Sequence, residues 1–320
     1  MILPAWSIIL TAGLPAVIFA AVVSALLYWW PRPRGTFLNR ERQRVEILDV
    51  HVVSHDTKRF RLSLGDQSVS LGLPVGKHLC IYAPNPSSCL SKGLWNDKPD
   101  PDRGAHEVCR NYTPITGDEA FGYVDLLVKI YRPGIVRMPD GSSVTWDDGG
   151  KVGSFLDERK PGDFIEIQGP FGTVEYLGKG GFKLPGGTVV VDHVGMLAGG
   201  TGITPMLQIL TAALRDPSDQ CKFSLIYANK TEEDILLRDR LEAEVQASNG
   251  RLKVHYTLDF PPPKWKHRVG FISPEMIRNF LPAPSRKPLV LMCGPPAMVE
   301  FACKKNLQVL GYPRNCMVAF

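Results

Sequence analysis

The sequence predicts an antiparallel β-barrel domain followed by an α/β doubly wound domain, preceded by one transmembrane helix. Three observations predict this order: an uncharged apolar run at the amino terminus, then short β-type runs broken by glycine and proline, then alternating strand and helix patterns. The length of 320 residues is enough for two domains, each with its own core. We predict an anchor with its basic flank over 1–34, the barrel over 35–177, a glycine-rich linker over 178–188 and the α/β domain over 189–320.

The first 34 residues have the composition of a membrane anchor. The run from Ile8 to Trp30 is almost entirely apolar, and a helix of about 20 such residues spans a bilayer. No charged residue precedes Arg32, and more arginines follow at 34, 40, 42 and 44, which predicts a cytosolic location for the rest of the chain. The endoplasmic reticulum and the mitochondrial outer membrane both fit this expectation. A cleaved signal peptide is the alternative, but it would need a basic segment before the apolar run.

Charge and cysteine usage are those of an intracellular globular protein. The formal net charge of +5 is mild and fits a solubilising surface, an acidic partner or an anionic membrane. The seven cysteines form no CxxC pair, and their odd number does not favour a disulfide framework. The seven histidines are not at metal-ligand spacing, so we predict no metal site.

Five β-type runs make up the predicted barrel, and no long helical pattern interrupts them, which favours an antiparallel arrangement. These runs are Val45–Val53, Thr57–Leu64, Lys77–Ala83, Gly122–Tyr131 and Asp163–Gln168. A polar segment over 85–108, rich in Pro, Asp and Ser, separates two of them. Because it is longer than most internal loops, we expect a surface excursion.

After residue 188 strands and helices alternate, as in a parallel doubly wound sheet with nucleotide-binding topology. The pattern Thr231-Glu232-Glu233-Asp234 is a capping box, which predicts a helix start. The predicted strands are Val189–Leu197, Lys222–Ala228, Leu252–Leu258 and Pro288–Cys293. The predicted helices are Pro205–Leu214, Glu232–Gln246, one that begins at Pro274 and one that begins at Pro295.

Three motifs carry the chemistry of the chain, at Arg110–Thr116, Gly199–Pro205 and Cys293–Pro296. The second lies between a predicted strand and a predicted helix, a context in which backbone amides can approach a pyrophosphate. It is neither GxGxxG nor a Walker A loop, so by itself it could be an ordinary tight turn. Together, in this order, the motifs resemble the flavin and nicotinamide sites of the NADH–cytochrome b5 reductase family, in the ferredoxin-reductase superfamily. The resemblance runs from about Val45 to Phe320.

The resemblance implies that FAD binds to the barrel domain. Arg110 would pair with the FAD pyrophosphate, an interaction that suits a bidentate guanidinium. Asn111 follows it in the motif, Tyr112 would pack on the isoalloxazine, and the hydroxyl of Thr113 would donate toward flavin N5. Each residue alone could belong to an ordinary strand that carries one surface arginine.

Two further parts of the chain match family positions near the flavin. Leu127 and Lys129 match residues that face it, although Lys129 could equally be an exposed lysine of a strand. Thr204 matches a threonine near the flavin.

The run 149–154 corresponds to the family's Gly-Gly-Lys-Met-Ser/Thr element, where amides at a helix start hold a flavin phosphate. Here Val152 replaces the methionine and Gly153 replaces the hydroxyl residue, while Ser154 could supply a hydroxyl. The residues carried over are Gly150, Lys151, Val152, Gly153 and Ser154.

NADH would bind to the α/β domain. The residues implied are Gly199, Gly200, Thr201, Gly202, Asp234, Cys293, Gly294, Pro295, Pro296 and Phe320. Cys293 would help to place the nicotinamide, and Phe320 would lie close to it. Asp234 would accept a hydrogen bond from the adenosine ribose and repel the extra phosphate of NADPH. Each of these three has a simpler alternative: a buried strand cysteine, a chain end and a helix cap.

The function implied is that of a membrane-anchored flavoprotein oxidoreductase. It would pass hydride from NADH to FAD, with Thr113, Lys129 and Cys293 as its catalytic residues, and then single electrons to cytochrome b5 or a similar acidic haem protein. The same flavin module could instead reduce a quinone or another haem protein. A membrane-tethered nucleotide-binding module without turnover is an alternative from another class. We expect the 85–108 segment to be dispensable for flavin binding.

Overall fold

A computed structural model describes residues 35–87 and 93–320, and Thr36–Phe320 forms one compact unit. The predicted anchor lies outside the described residues. Within them, no helix has both the length and the apolar character that crossing a bilayer requires.

The amino-terminal half is built on one antiparallel sheet. Its six strands are β1 (Gln43–Ser54), β2 (Thr57–Ser63), β3 (His78–Pro84), β6 (Glu107–Tyr112), β7 (Tyr123–Lys129) and β10 (Phe164–Phe171), in the order β6-β3-β10-β1-β2-β7. The end strands β6 and β7 also contact each other. Alternate side chains of these strands therefore enclose one apolar core, with Ile47, Leu62 and Leu126 fully buried in it. The prediction of an antiparallel domain is confirmed.

Two hairpins and a short helix join these strands. They are β4 (Leu94–Trp95) with β5 (Lys98–Pro99), β8 (Gly134–Arg137) with β9 (Ser143–Trp146), and helix α1 (Lys151–Asp157). The two hairpins were not predicted from the sequence, whereas the start of α1 falls within the run 149–154, where the family resemblance implies a helix start. Two strands of two residues each are too short to show a period-2 pattern of hydrophobicity.

The segment predicted as a linker takes part in a small sheet. Its three antiparallel strands are β11 (Glu175–Gly178), β12 (Gly181–Leu184) and β13 (Gly187–Val190). Phe182 of β12 is fully buried in the core of the carboxyl-terminal half. The connection is therefore packed rather than a simple exposed loop.

The carboxyl-terminal half is a six-stranded parallel sheet with helices between its strands. Its strands are β14 (His193–Gly199), β15 (Lys222–Asn229), β16 (Leu252–Leu258), β17 (Arg268–Val269), β18 (Leu289–Cys293) and β19 (Met317–Ala319), in the order β17-β16-β15-β14-β18-β19. Its helices are α2 (Ile203–Arg215), α3 (Arg238–Ala247), α4 (Pro274–Phe280) and α5 (Lys305–Val309). The strand order reverses at β14, and ligands bind at such switch points. The prediction of a parallel α/β domain is confirmed.

Two predicted elements of this half are each divided in two. The predicted strand 189–197 is interrupted after Val190, where the chain leaves β13 of one sheet to enter β14 of another. The predicted helix 232–246 is a short 3₁₀ turn, Glu232–Asp234, followed by α3. Leu237 takes a left-handed conformation between them (φ 57°). This bend lets both Ile235 and Leu236 enter the core.

Side chains join the two halves next to the predicted site. The amide of Gly76 donates to Gln208 Oε1 of α2 at 2.7 Å. The Arg240 guanidinium of α3 donates to the carbonyl of Ile115 at 2.7 Å. Strand β7 also contacts the turn Gly200–Gly202 that follows β14. The residues predicted to face the flavin therefore lie beside the loop predicted to bind NADH.

Candidate active site

The loops that follow β14 and β18 are pressed against each other. The two strands are parallel neighbours, with Ala198 opposite Cys293, so their carboxyl ends meet at one edge of the sheet. A Cβ atom at Gly202 would lie 2.2 Å from the carbonyl oxygen of Cys293, and one at Gly199 would lie 2.5 Å from the sulfur of Met298. Only glycine permits this approach. Gly199 and Gly202 are buried where the loops meet, whereas Gly200, Thr201 and Gly294 are half-buried.

Two side-chain hydroxyls stabilise the turn Gly200–Gly202 by hydrogen bonds to its carbonyl groups. Gly200 has a left-handed φ of +53°, and its Cα faces open space. The hydroxyl of Tyr227 donates to the carbonyl of Gly200 at 3.0 Å, and the hydroxyl of Thr204 donates to that of Thr201 at 3.1 Å. Thr204, which was predicted to lie near the flavin, is buried, and its hydroxyl forms a hydrogen bond within its own loop.

Phe320 reaches the same edge of the sheet. Strand β19 pairs with β18, and the amide of Phe320 donates to the carbonyl of Met292 at 3.0 Å. The terminal phenylalanine is therefore next to Cys293 in register, and its side chain is partly exposed. Burial raises the pKa of the Cys293 thiol to about 11, so the thiol is neutral at physiological pH. Pro295 and Pro296 follow Cys293 after Gly294 and are both exposed.

Strand β6 presents the predicted flavin motif. It pairs with β3, with Ile81 opposite Arg110 and Leu79 opposite Tyr112. Because side chains alternate along a strand, Arg110 and Tyr112 share one face of β6 and Asn111 points to the other. On that other face the Cys80 thiol donates to Asn111 Oδ1 at 3.1 Å.

Burial raises the pKa of Tyr112, which keeps its phenol neutral. Thr113 follows at the end of the strand and is half-buried.

Lys129 connects the two halves of the protein. Its ammonium lies 2.7 Å from Asp56 on the turn before β2 and 3.4 Å from Asp234 of the α/β half. Burial favours the neutral amine, but the bonds and charges of these carboxylates outweigh it and raise the pKa of Lys129. Leu127, two residues earlier on β7, is buried. Asp56 is a residue that the sequence did not single out.

Asp234 performs the capping role that the sequence predicts. Its Oδ2 accepts hydrogen bonds from both the amide and the hydroxyl of Thr231 at 3.0 Å. Its Oδ1 faces Lys129, so the carboxylate is oriented by two groups at once. A carboxylate held in this way is preorganised to accept a further hydrogen bond, since its oxygens offer several acceptor positions.

His55, Asp56 and Asp234 offer three ligand atoms within 4.8 Å of one another. Lys129 already supplies a cation to both of these carboxylates. The chemistry of this group is therefore that of an ion-pair network.

The start of α1 fits the expected phosphate element. The buried hydroxyl of Ser154 has no hydrogen-bond partner among the described residues, so it is available to donate to a phosphate oxygen. A Cβ at Gly153 would lie 3.3 Å from the carbonyl oxygen of Lys129, a tight contact that glycine avoids. Val152 fills the barrel core in place of the family's methionine. Gly150 begins the helix without a side-chain cap.

The structure brings Arg110 and Lys151, both predicted to be FAD-binding residues, together through a third residue. Asp102 Oδ2 lies 2.6 Å from Arg110 Nη2 and 3.2 Å from Lys151 Nζ. Lys151 is also paired with Asp100 at 2.7 Å. Both aspartates belong to the 85–108 segment, where the sequence indicated only a surface excursion. That expectation was wrong for Asp100, which is buried.

Comparisons with known proteins identify the family of each half of the chain. Residues 44–92 and 102–176 match the family described as the oxidoreductase FAD-binding domain, and residues 196–304 match the oxidoreductase NAD-binding domain. The interruption at 93–101 falls on the β4–β5 hairpin.

Named relatives and solved structures cover nearly the whole chain. NADH-cytochrome b5 reductase 1 of Bos taurus is 42% identical over 312 residues, which are 95% of this chain and 93% of that protein. NADH-cytochrome b5 reductase 2 of Xenopus laevis is 43% identical over 280 residues, 86% of each chain. The cytochrome b5 reductase domain of Ulva prolifera nitrate reductase superposes with a TM-score of 0.76 at 36% identity, covering 89% of this chain and all of that domain. The chain therefore belongs to the NADH–cytochrome b5 reductase family and is an FAD-dependent oxidoreductase that uses NADH.

Proposed function

We propose that this enzyme delivers electrons from NADH, through FAD, to cytochrome b5 or a similar acidic haem protein at a membrane surface. One observation carries the proposal: similarity to enzymes named for cytochrome b5 extends over 95% of the chain. Bound FAD supplies the conversion of a hydride into single electrons, and the protein supplies binding and orientation.

The barrel half holds and orients FAD in this proposal. Arg110, Lys151 and the Ser154 hydroxyl are offered to the pyrophosphate, Tyr112 is offered to the ring system, and the Thr113 hydroxyl donates to the flavin. Tyr112 and Thr113 suit these roles because β6 ends beside the phosphate element of α1, which contacts it. Asn111 lies on the opposite face of the strand, where its side chain accepts a hydrogen bond from the Cys80 thiol.

The α/β half holds NADH. The abutting loops at Gly199–Gly202 and Cys293–Pro296 leave backbone open at the carboxyl edge of β14 and β18, where a dinucleotide can approach closely. Asp234 would accept a hydrogen bond from the ribose. Lys129 would fix Asp234 in that orientation and stand at the flavin edge, and Phe320 would cover the nicotinamide position.

The acceptor is tested with the full-length enzyme in detergent micelles. NADH oxidation would be coupled to reduction of purified cytochrome b5, a water-soluble quinone and ferricyanide in turn. We expect kcat/KM for cytochrome b5 to exceed that for the quinone. It should also fall steeply as the salt concentration rises above about 0.1 M, because salt screens the charges that would steer an acidic partner. A higher kcat/KM for the quinone that does not depend on salt would contradict cytochrome b5 as the acceptor and support the quinone alternative.

The membrane anchor is tested separately. We expect the full-length protein to stay with the membrane fraction after alkaline carbonate extraction. The double variant Ile18→Arg, Val22→Arg should be released, because charges at the centre of a span cost about 2.5–3.5 kcal/mol each. Val22→Leu is the matched control and should remain bound. Release of the unaltered protein would remove the anchor from the proposal while leaving the acceptor unaffected.

A further inference from the structure

The 93–106 segment, here called the acidic arm, lies on the element predicted to hold the FAD phosphates. Its strands β4 and β5 are joined by Asn96 and Asp97, both at positive φ (48° and 58°), as in a type I′ hairpin. Trp95 Nε1 donates to the carbonyl of Gly149 at 2.8 Å, and Asn96 Oδ1 accepts from the amide of Asp148 at 2.9 Å. The arm is thus fastened to the residues that precede α1.

Asp100 anchors the arm permanently. Its carboxylate receives Lys151 Nζ at 2.7 and 2.8 Å, and the two side chains are 0% and 2% exposed. A buried charge pair of this geometry cannot separate without leaving an uncompensated charge in the interior. The pair therefore holds the arm against the start of α1.

Asp102 is placed differently. Its carboxylate is 21% exposed, and its partner Arg110 is 45% exposed, so this pair faces solvent. One oxygen of Asp102 lies within hydrogen-bonding distance of both Arg110 and Lys151. Carboxylate and phosphate oxygens use the same donors of an arginine or a lysine. Asp102 therefore occupies the anion position that these two cations create.

We infer that Asp102 is an internal competitor for the FAD pyrophosphate and sets the affinity of the enzyme for its cofactor. Its carboxylate pairs with Arg110 and Lys151 when FAD is not bound and withdraws when the pyrophosphate takes its place. Asp100 keeps the arm attached throughout this exchange. The inference rests on the assignment of Arg110 and Lys151 under the proposed function.

The net charge of these four side chains determines how strongly the site attracts the FAD pyrophosphate. Arg110 and Lys151 carry two positive charges, and Asp100 and Asp102 carry two negative ones. The site is therefore neutral before FAD binds, and the pyrophosphate gains little from long-range attraction. Removal of the Asp102 charge leaves a site with a net positive charge, which would attract the pyrophosphate more strongly.

The test is a titration of the full-length apoenzyme with FAD, followed by the quenching of flavin fluorescence. Asp102→Asn should bind FAD about tenfold more tightly than the unaltered enzyme at low ionic strength, since a charge-assisted contact is worth roughly one decade of affinity. Asp97→Asn removes a charge from the same arm without contact to Arg110 or Lys151 and should leave the dissociation constant unchanged. Asp102→Glu keeps the charge and should also resemble the unaltered enzyme.

Riboflavin separates competition from a general loosening of the site, because it has no phosphate. Its affinity should be the same in the unaltered enzyme and in Asp102→Asn. The inference is overturned if Asp102→Asn binds FAD equally or more weakly, which would make Asp102 a support for Arg110, or if riboflavin gains as much as FAD. Arg110→Ala checks the underlying assignment on its own: an unchanged affinity for FAD would show that Arg110 does not hold the pyrophosphate.

Discussion

The Lys129 ammonium lies 3.4 Å from the Asp234 carboxylate, across the boundary between the antiparallel and parallel sheets. Lys129 ends the strand β7 predicted to face the flavin, and Asp234 ends the 3₁₀ turn predicted to face the NADH ribose. One ion pair therefore joins the two halves of the proposed site. Substitution of either residue should therefore change both the binding of the nucleotide and the stability of the fold.

Asp234→Ala should raise the use of NADPH relative to NADH. The change removes a negative charge that would repel a 2′-phosphate, and it leaves Lys129 nearby to attract one. We expect the ratio of kcat/KM values, NADPH over NADH, to rise about tenfold, and loss of the helix cap to cost about 1 kcal/mol of stability. Glu233→Ala, an exposed residue of the same turn, is the control and should not change the ratio. An unchanged ratio for Asp234→Ala would leave this residue as a helix cap only.

Gly202→Ala should impair reaction with NADH while FAD binding is retained. The added methyl group would lie 2.2 Å from the carbonyl oxygen of Cys293, so the loops after β14 and β18 would have to separate. We expect the rate of flavin reduction by NADH, measured by stopped-flow absorbance, to fall about 100-fold, as displaced positioning groups commonly cause. Gly186→Ala adds the same methyl group in open space and should be neutral. Normal flavin reduction by Gly202→Ala would show that the two loops tolerate separation.

The stability contributed by Asp56 should disappear only in acid. Burial opposes ionisation of this carboxyl, but the hydrogen bond and charge of Lys129 outweigh it, and the pKa of Asp56 is lowered below 3.8. The folded state therefore binds the proton less well than the unfolded state. The stabilisation is present above about pH 3.8 and is lost as pH falls through the lower, folded pKa.

This sign can be checked with Asp56→Asn. At pH 7 the variant should be less stable by about 1.5 kcal/mol, the usual worth of a hydrogen bond to a charged group. The difference in the free energy of unfolding, from urea titrations between pH 3 and pH 7, should shrink below about pH 3.8. Asp239→Asn, an exposed carboxylate in the first turn of α3, is the control. A difference that stays constant down to pH 3 would contradict an ionised Asp56 paired with Lys129.

Cys293 should resist alkylation at neutral pH. Burial raises the pKa of its thiol to about 11, and only the thiolate reacts. Its rate of modification by iodoacetamide, followed by peptide mass spectrometry, should rise about tenfold per pH unit from pH 7 to pH 10. The urea-unfolded chain provides the reference and should react much faster at pH 7. Rapid modification of the folded enzyme at pH 7 would mean that Cys293 is neither shielded nor neutral.

Several features of the site could be predicted from local sequence. The parallel α/β domain followed from alternating strand and helix patterns, and the ends of β14 and β18 placed the glycine loop and Cys293 at sheet edges. The capping box at Thr231–Asp234 is present as its spacing indicates. These features depend on hydrogen bonds and periodicities within a few residues, so a single sequence carries them.

The division of the predicted 232–246 helix could not be read in the same way. Its residues are good helix formers, and the helical pattern is continuous in the sequence. The left-handed Leu237 is stabilised by the burial of Ile235 and Leu236 against a core built from distant strands. Tertiary packing overrides local propensity at such positions.

The sequence by itself determined the two domain classes, the order of the motifs and the match to a flavoprotein family, because periodicity and short motifs are local properties. Only the tertiary structure decided which charges meet. Lys129 reaches Asp56 through the pairing of β2 with β7 and reaches Asp234 across the two sheets. Asp100 and Asp102 reach Lys151 because the acidic arm folds back on α1. An ion pair is fixed by distance in space, which sequence separation does not encode.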